Sequence, residues 1–179
     1  MPSIERLGHV GLHVEDLDRA VGFYRDILGL TVTDEDQQAG MVFMSARPTD
    51  EHHELLLCRG RTAPRESMLV QQISFRCSSL QDVQDYYRRL LERQVPIDMT
   101  VSHGNAIAVY FYDPDGNRCE VYWGTGLEAR QPYLVGVDLD KPADVLMSEV
   151  EASVRQYATT GYVDPQFLAM QDIKAEGQS

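Results

Sequence analysis

Five side chains in this sequence are of the types that hold first-row metal ions. They are the imidazoles of His9 and His53, the carboxylates of Glu54 and Glu120, and the amide of Gln72. Imidazole nitrogens, carboxylates and amide oxygens that converge in a cleft match such ions in charge and geometry. Glu120 stands in an apolar and aromatic run, where a carboxylate is costly to bury unless something pairs with it. These residue types predict a metal site, provided that the fold brings them together.

A β-hairpin is predicted around Glu120. Its turn, Asp113–Asn117, reads Asp-Pro-Asp-Gly-Asn, in which proline fixes one φ angle and glycine accepts the positive φ of a tight turn. The flanking runs, 106–112 and 118–123, are rich in β-branched and aromatic residues, as strands are. Because strand residues alternate between two faces, Glu120 is expected to share one face of the sheet with aromatic neighbours.

The sequence repeats itself with a shift of 63 residues, which places His9 on Gln72. Each copy predicts a strand, a helix and three further strands. Asp16 is expected to cap the first helix, and Ser79 the second, which runs to about Arg93. The strands predicted in the first copy are 7–14, 30–33, 41–44 and 52–58.

The duplication predicts an α+β fold built from paired βαβββ modules. Each helix must cover the apolar face of its own sheet, which leaves the polar face of a curled mixed sheet around a cavity. Glu120 matches the His53–Glu54 region at a slightly longer offset. The two copies are therefore expected to bring His9, the His53–Glu54 pair, Gln72 and Glu120 to the polar face.

The predicted domain covers residues 5–124, with modules of about 5–60 and 69–124. The rest, 125–179, is predicted to be a C-terminal extension. Its first part, up to residue 142, reads as loop, and 143–158 reads as an amphipathic helix. We favour a helical arm that packs on its own domain or a partner over a lid on the cavity. The end, from Ala175 on, is expected to be disordered.

Composition narrows the function classes. The 179 residues include 28 acidic and 16 basic side chains, for a net charge of −12, which argues against nucleic acid and anionic membrane surfaces as partners. No apolar run approaches membrane-spanning length and the N-terminus lacks the core of a signal peptide, so a cytoplasmic location is expected. The three cysteines are widely spaced and are predicted to be reduced, buried hydrophobes.

Several local motifs together resemble the vicinal oxygen chelate superfamily. They are Gly8-His9-Val10, the helix sequence 16–24 followed by Leu28-Gly29-Leu30, and the Asp-Pro-Asp-Gly-Asn turn before Glu120. That superfamily holds glyoxalase I, extradiol ring-cleavage dioxygenases, fosfomycin-resistance transferases and bleomycin-binding proteins. The resemblance covers about residues 5–124, and its motifs are specific for the fold rather than for the reaction.

Within the superfamily the sequence is most similar to the type I extradiol dioxygenases. The resemblance implies an Fe(II) site that uses His9 and Glu120, with open positions for a catecholate and dioxygen. It also implies roles in catalysis: Tyr110 would hydrogen-bond a substrate oxygen, and His53 would act as acid and base. His103 resembles a further active-site histidine of the preceding loop.

Gln72 departs from the resemblance, because these dioxygenases have a histidine pair where this chain has Gln71-Gln72. An amide oxygen is a weaker ligand than imidazole, so Fe(II) affinity is expected to fall, and Mn, Ni or Zn are alternatives. Some glyoxalase I enzymes do accept glutamine, and His9, Glu54, Gln72 and Glu120 would form such a set. Strand alternation makes His53 and Glu54 compete for the cavity. We favour His53, because Leu55 and Leu57 would then share its face as apolar walls.

The sequence therefore predicts a metal-dependent extradiol-type dioxygenase that acts on a catechol-like substrate of aromatic catabolism. His13, Arg76 and Tyr112 are predicted to contact the substrate, with Arg76 holding a carboxylate or phenolate. A glyoxalase-type lyase or isomerase is one alternative, and a metal-free small-molecule-binding protein of the same fold is another. The expected partners are the substrate, dioxygen and a second copy of the chain in a homodimer.

Overall fold

The computed structural model describes residues 2–67 and 69–167. The chain divides into two compact units, Met1–Gln71 with Asp113–Asn117, and Gln72–Tyr112 with Arg118–Ser179. Each unit contains one mixed β-sheet, and the α+β class expected from the sequence is confirmed. In the part of the chain that is described, no helix combines the length and apolar character needed to cross a bilayer.

The first unit holds a four-stranded sheet and one helix. The helix begins after Asp16, whose side chain accepts a hydrogen bond from the backbone N–H of Arg19, so the predicted cap is confirmed. The sheet order is β1-β4-β3-β2, with β1 and β4 parallel and the other pairs antiparallel. The elements are β1 (Val10–Val14), α1 (Leu17–Asp26), β2 (Thr31–Asp36), β3 (Met41–Ser45) and β4 (Leu55–Arg59).

The second unit repeats this arrangement and extends it. Ser79 caps its first helix in a reciprocal capping box with Asp82. The sheet order is β10-β9-β6-β7-β8-β5. The elements are β5 (Ile73–Arg76), α2 (Leu80–Glu92), β6 (Ile97–Ser102), β7 (Ala106–Tyr112), β8 (Arg118–Gly124), β9 (Tyr133–Gly136), α3 (Ala143–Tyr157) and β10 (Tyr162–Val163).

The predicted duplication is visible in the strand topology. The series β1-β4-β3-β2 and β5-β8-β7-β6 have the same order, and each begins with a parallel pair. In each unit the helix packs on its own sheet, α1 on β4 and α2 on β7 and β8. This packing buries the apolar stripe of each helix, as the sequence pattern requires.

The strand register corrects one predicted equivalence. Val10 pairs with Leu55 in the first sheet, and its counterpart Ile73 pairs with Cys119 in the second. One residue further along, the counterpart of Glu120 is therefore Leu56, and the expected match of Glu120 to the His53–Glu54 region is wrong. The offset in the last strand is one residue longer than in the first, which a sequence shift alone does not reveal.

The start of β4 differs from the prediction for a local reason. The strand begins at Leu55 instead of His52, because the chain bends at His52 and Glu54. Strand alternation therefore cannot be extended back to His53. Leu55 and Leu57 have 0% exposure and belong to the core of the first unit, so the inference that they form a pocket wall beside His53 is wrong.

The C-terminal extension is more ordered than predicted. Residues 124–142, expected to be loop, contain β9, which pairs antiparallel with β6, and β10 then pairs in parallel with β9. The expected helix over 143–158 is confirmed as α3. The extension therefore widens the second sheet by two strands. Its predicted disordered end, from Ala175, lies outside the described residues, and the domain boundaries remain a prediction.

The turn between β7 and β8 is built on one buried carboxylate. Asp113, 5% exposed, accepts hydrogen bonds from the backbone N–H groups of Asp115 and Asn117, at 2.9 and 2.7 Å. It also accepts one from the hydroxyl of Tyr24 at 2.9 Å. Because Tyr24 lies on α1, this carboxylate ties the turn to the helix of the first unit.

We predict that Asp113→Ala destabilises the protein by about 2–4 kcal/mol, because it strands several buried donors without an acceptor. The measurement is urea unfolding followed by circular dichroism. Asp50→Ala, at an exposed loop position, is the control and should stay within about 0.5 kcal/mol. Equal effects of the two substitutions would contradict this account of the turn.

Candidate active site

The first unit brings two predicted site residues, His9 and His53, together with the neighbouring His52. The rings of His9 and His53 lie with their centroids 4.3 Å apart, and Phe43 packs edge-on against His53 at 5.1 Å. His52 Nδ1 lies 3.0 Å from His53 Nδ1. Burial and the neighbouring imidazoles of His9 and His52 hold the pKa of His53 below its ordinary value. His53 is therefore a neutral imidazole near pH 7, able to accept a proton.

Glu54 is engaged elsewhere in the same unit. Its carboxylate accepts hydrogen bonds from the backbone N–H of Ala46 and from Arg47 Nη2, both at 2.9 Å. Burial opposes ionisation, but these hydrogen bonds and the Arg47 charge leave the pKa of Glu54 below its ordinary value. Glu54 is thus an ionised carboxylate whose hydrogen bonds stabilise the loop between β3 and β4.

The second unit brings Glu120 and Gln72 together. Glu120 is buried, 5% exposed, and accepts hydrogen bonds from Gln72 Nε2 at 3.0 Å and from the hydroxyl of Ser74. Ser74 lies directly opposite Glu120 in the β5–β8 pair. Over residues 2–67 and 69–167, Glu120 forms no ion pair within 4.0 Å. A buried carboxylate that is held by neutral donors is an environment that favours a cation.

Tyr110 and His103 form a second pair on this face. The Tyr110 hydroxyl lies 3.0 Å from His103 Nε2, and His103 Nδ1 lies 3.0 Å from the backbone carbonyl of Tyr133. A carbonyl only accepts, so Nδ1 carries the proton, and in the neutral imidazole Nε2 accepts from Tyr110. Burial raises the pKa of Tyr110 well above its ordinary value. The hydrogen bond with Glu120 and the charge of that carboxylate raise it further. Tyr110 is therefore a phenol that remains protonated.

Tyr110 also belongs to an apolar cluster. We call this cluster the apolar wall; it consists of Val101, Ala108, Tyr110 and Phe167, with Met99, Tyr122, Leu134 and Val163 packed against them. Leu134, Val163 and Phe167 come from the C-terminal extension. The Arg118 guanidinium covers the ring of Tyr110 at 4.0 Å and pairs with Asp98 at 2.7 Å. The extension thus supplies part of the surface around Tyr110.

The three predicted substrate contacts have different surroundings. His13 is exposed on β1, with Nδ1 3.4 Å from the backbone carbonyl of Arg59. Tyr112 is half-buried and donates its hydroxyl to Asp98 at 3.3 Å. Arg76 is exposed at the end of β5. The contact of each with a substrate stays a prediction.

The predicted metal ligands are divided between the units. His9 belongs to the first unit, and Gln72 and Glu120 to the second. Among the described residues, no group of three His, Cys, Asp or Glu side chains stands close enough to hold a metal by itself. Gln72 and Glu120 nevertheless fit a divalent ion, because rotation of the amide would turn its oxygen toward the site beside the carboxylate. The full ligand set stays a prediction.

The sequence reasoning missed three contributors to this site. Alternation along β5 puts Ser74 on the same face as Arg76, but the hydrogen bond from Ser74 to Glu120 depends on the strand register. Arg118 follows the hairpin turn and carried no signal for stacking on Tyr110. Phe167 lies beyond the predicted arm helix, and nothing in its local pattern indicates that it packs beside Tyr110.

Comparison with known proteins places the chain in a family. A family model described as Glyoxalase/Bleomycin resistance protein/Dioxygenase superfamily matches residues 6–121. Manganese-dependent 2,3-dihydroxybiphenyl 1,2-dioxygenase of Geobacillus genomosp. 3 is 30% identical over 68% of this chain and 37% of that protein. Biphenyl-2,3-diol 1,2-dioxygenase 3 of Rhodococcus globerulus is 29% identical over 68% of this chain and 64% of that protein. The chain spans about a third to two thirds of the length of these relatives.

Solved structures agree with this assignment at the level of the fold. The fosfomycin resistance protein FosX of Listeria monocytogenes matches with a TM-score of 0.56 at 21% identity, over 69% of this chain and 97% of that one. A glyoxalase/bleomycin resistance protein/dioxygenase from Nocardioides matches with a TM-score of 0.56 at 21% identity, over 76% of this chain and 93% of that one. On the family match and the repeated βαβββ topology, the chain belongs to the glyoxalase/bleomycin resistance protein/dioxygenase superfamily.

Proposed function

We propose that this chain is a divalent-metal-dependent dioxygenase of the extradiol type, acting on a catechol-like aromatic substrate. The observation that carries the proposal is the face of the second sheet. There a buried carboxylate, Glu120, stands one strand from a protonated phenol, Tyr110, beside the apolar wall. The relatives named as dioxygenases of dihydroxylated aromatics support the same reaction class.

Gln72 and Glu120 are proposed to provide oxygen ligands to the metal, with His9 as the predicted third ligand. Oxygen ligands suit Mn(II) and Fe(II), and the relative from Geobacillus is named as manganese-dependent. When bound, the metal would act as a Lewis acid that favours the ionised diol and would activate dioxygen. The hydrogen-bond partners of Glu120 are a neutral amide and a neutral hydroxyl, so no cationic side chain in the described part of the chain competes with such an ion.

The remaining residues are proposed to position the substrate and move its protons. Tyr110, whose proton is retained, would turn its single hydroxyl hydrogen from His103 Nε2 to a substrate oxygen when the substrate binds. The partly buried side chains of the apolar wall, such as Met99 and Tyr122, would offer apolar contact to an aromatic ring beside Tyr110. His53, held neutral by its surroundings, is proposed to take a proton from the diol.

A metal-free binding protein is the second candidate, and one observation favours it. Gln72 and Ser74 already satisfy the Glu120 carboxylate with hydrogen bonds. The glyoxalase-type alternative has less support, because Glu54 is occupied by Ala46 and Arg47 and the counterpart of Glu120 in the first sheet is Leu56. Metal content and oxygen consumption separate these three functions.

We expect protein purified under anaerobic conditions to contain about one iron or manganese ion per chain and to consume oxygen when catechols are added. The measurements are elemental analysis and an oxygen electrode. Zinc or nickel without oxygen consumption would favour the lyase or isomerase. Protein without metal, and without gain from added Fe(II) or Mn(II), would favour the binding protein.

Gln72→His tests the ligand position. Imidazole is a stronger ligand than an amide oxygen, so the substitution should raise Fe(II) affinity at least about tenfold, which corresponds to about 1.4 kcal/mol. Competition with a fluorescent chelator measures this affinity. Gln71→His is the matched control, because the neighbouring residue is exposed and makes no contact with Glu120. The same gain in both variants would contradict the assignment of Gln72.

Tyr110→Phe tests the proposed substrate donor. It should lower kcat/KM for catechols by about 100-fold, the usual cost of one preorganised donor to a developing charge. Tyr87→Phe removes the same hydroxyl from a half-buried tyrosine of α2, outside the candidate site, and should change kcat/KM less than about threefold. Nitrogen NMR of His103 should still show a protonated Nδ1 in both variants, since the Tyr133 carbonyl fixes it. A loss of that signal in Tyr110→Phe would indicate collapse of the site instead of a missing donor.

A further inference from the structure

Arg76 lies on the face of the second sheet that carries Glu120. On β5, Ser74 and Arg76 alternate onto one face, with Ser74 opposite Glu120 and Arg76 opposite Tyr122. Because Ser74 bonds Glu120 on this face, Arg76 extends from the same side of the sheet. The candidate site therefore has a guanidinium at one end as well as a carboxylate at the other.

The Arg76 side chain lies across the sheet. β5 is an edge strand, so this side chain could point away from the sheet into solvent. Instead, a Cβ placed on Gly124, at the end of β8, would lie 3.7 Å from Arg76 Nη2. Gly124 has no side chain, which leaves room beside the guanidinium on this face.

The charge of Arg76 is not used within the described part of the chain. There it forms no ion pair within 4.0 Å, whereas Arg88, Arg118 and Arg155 of the same unit pair with carboxylates. Among the described residues Arg59, Arg93 and Arg130 also lack an ion pair, but none of them lies on the face of the second sheet that carries Glu120. An anion would also be repelled by the net charge of −12 unless a local positive group attracts it.

Glu120, Tyr122 and Gly124 follow one another on the same face of β8. The first and last are four residues apart, a distance of about 13–14 Å along a strand. The ring of Tyr122, packed against the apolar wall, lies between them. A molecule with its diol at the Glu120 end would place its aromatic ring near Tyr122 and reach toward Arg76 with a substituent.

We infer that the substrate is a catechol with a short carboxylate-bearing side chain, and that Arg76 binds this carboxylate. The inference rests on the proposed function for the position of the diol, and adds the substrate class. A planar guanidinium with free donors binds a carboxylate in a bidentate manner, which fixes orientation as well as charge. The aromatic ring would then lie between two fixed ends of one ligand.

The test compares 3-(3,4-dihydroxyphenyl)propanoate with its neutral amide, and with 3-phenylpropanoate, which lacks the diol. Binding to the full chain is measured by calorimetry, with and without Mn(II), so that affinity is read separately from turnover. The variants are Arg76→Gln, Arg76→Lys and, as a control for net charge, Arg93→Gln at the exposed C-terminal cap of α2.

The unsubstituted protein should bind the acid at least about tenfold more tightly than the amide, as expected for a charge-assisted hydrogen-bonded pair. Arg76→Gln should remove this preference and leave the affinity for the amide unchanged, while Arg76→Lys should keep part of it. Arg93→Gln should keep the full preference. Equal binding of acid and amide, no binding of either, or an equal loss in Arg93→Gln would overturn the inference.

The same series separates this inference from the proposed function. If catechols are oxidised but acid and amide are equivalent, the dioxygenase proposal stands and the role of Arg76 is refuted. If 3-phenylpropanoate binds as tightly as its dihydroxylated analogue, depends on Arg76, and no oxygen is consumed, the carboxylate site stands and the dioxygenase proposal is refuted.

Discussion

The buried carboxylate of Glu120 is the constraint on which the second unit depends. It lies on a strand between an edge strand and a central strand, and it accepts hydrogen bonds from Ser74 on β5 and from Gln72, the residue that precedes β5. These donors are neutral, so hydrogen bonds stabilise the carboxylate without cancelling its charge. Burial raises the pKa of Tyr110 on the next strand, and the hydrogen bond to Glu120 and its charge raise that pKa further. Glu120 thus helps to keep the Tyr110 phenol protonated and makes the surrounding face favourable for a cation.

The two copies of the module differ at the position of this carboxylate. At the equivalent register the first sheet has Gly11 opposite Leu56, where the second has Ser74 opposite Glu120. The strand topology is the same in both copies, but the polar pair is present in the second sheet alone at this register. The first unit instead presents the paired imidazoles of His9 and His53 near the start of its parallel pair. The two copies therefore offer different donor types: nitrogen in one and oxygen in the other.

The C-terminal extension is part of the second unit's candidate site. Its strand β9 pairs with β6, and the carbonyl of Tyr133 on that strand fixes the tautomer of His103. Beyond α3, Phe167 packs beside Tyr110. Gly136 of β9 lies beside the Phe167 ring, since a Cβ there would be in ordinary contact with it at 3.6 Å. The extension thus packs on its own unit through backbone and apolar contacts, which agrees with the packing arm favoured from the sequence over a lid.

Features that depend on local chemistry could be predicted from the sequence. The caps at Asp16 and Ser79 require only a side chain and the next turn of helix, and the Asp113–Asn117 turn requires only its own residues. The duplication followed from apolar spacing in the same way. These features fixed the α+β modules and the face on which Gln72 and Tyr110 would lie.

Features that depend on pairing across the sheet could not be predicted in this way. β9 has four residues, which are too few for a distinctive sequence pattern. It forms a strand because it pairs with the otherwise open edge of β6. Where the chain bends at His52 and Glu54, the Glu54 carboxylate accepts hydrogen bonds from Ala46 and Arg47. Strand alternation counted back from Leu55 was therefore the wrong reason for choosing His53. For Ser74, strand alternation predicts the face of the sheet, but it does not predict that Glu120 lies opposite. A shift of the strand register by one residue changes which side chains lie opposite each other. The register therefore decides whether polar side chains on one face come together as a site.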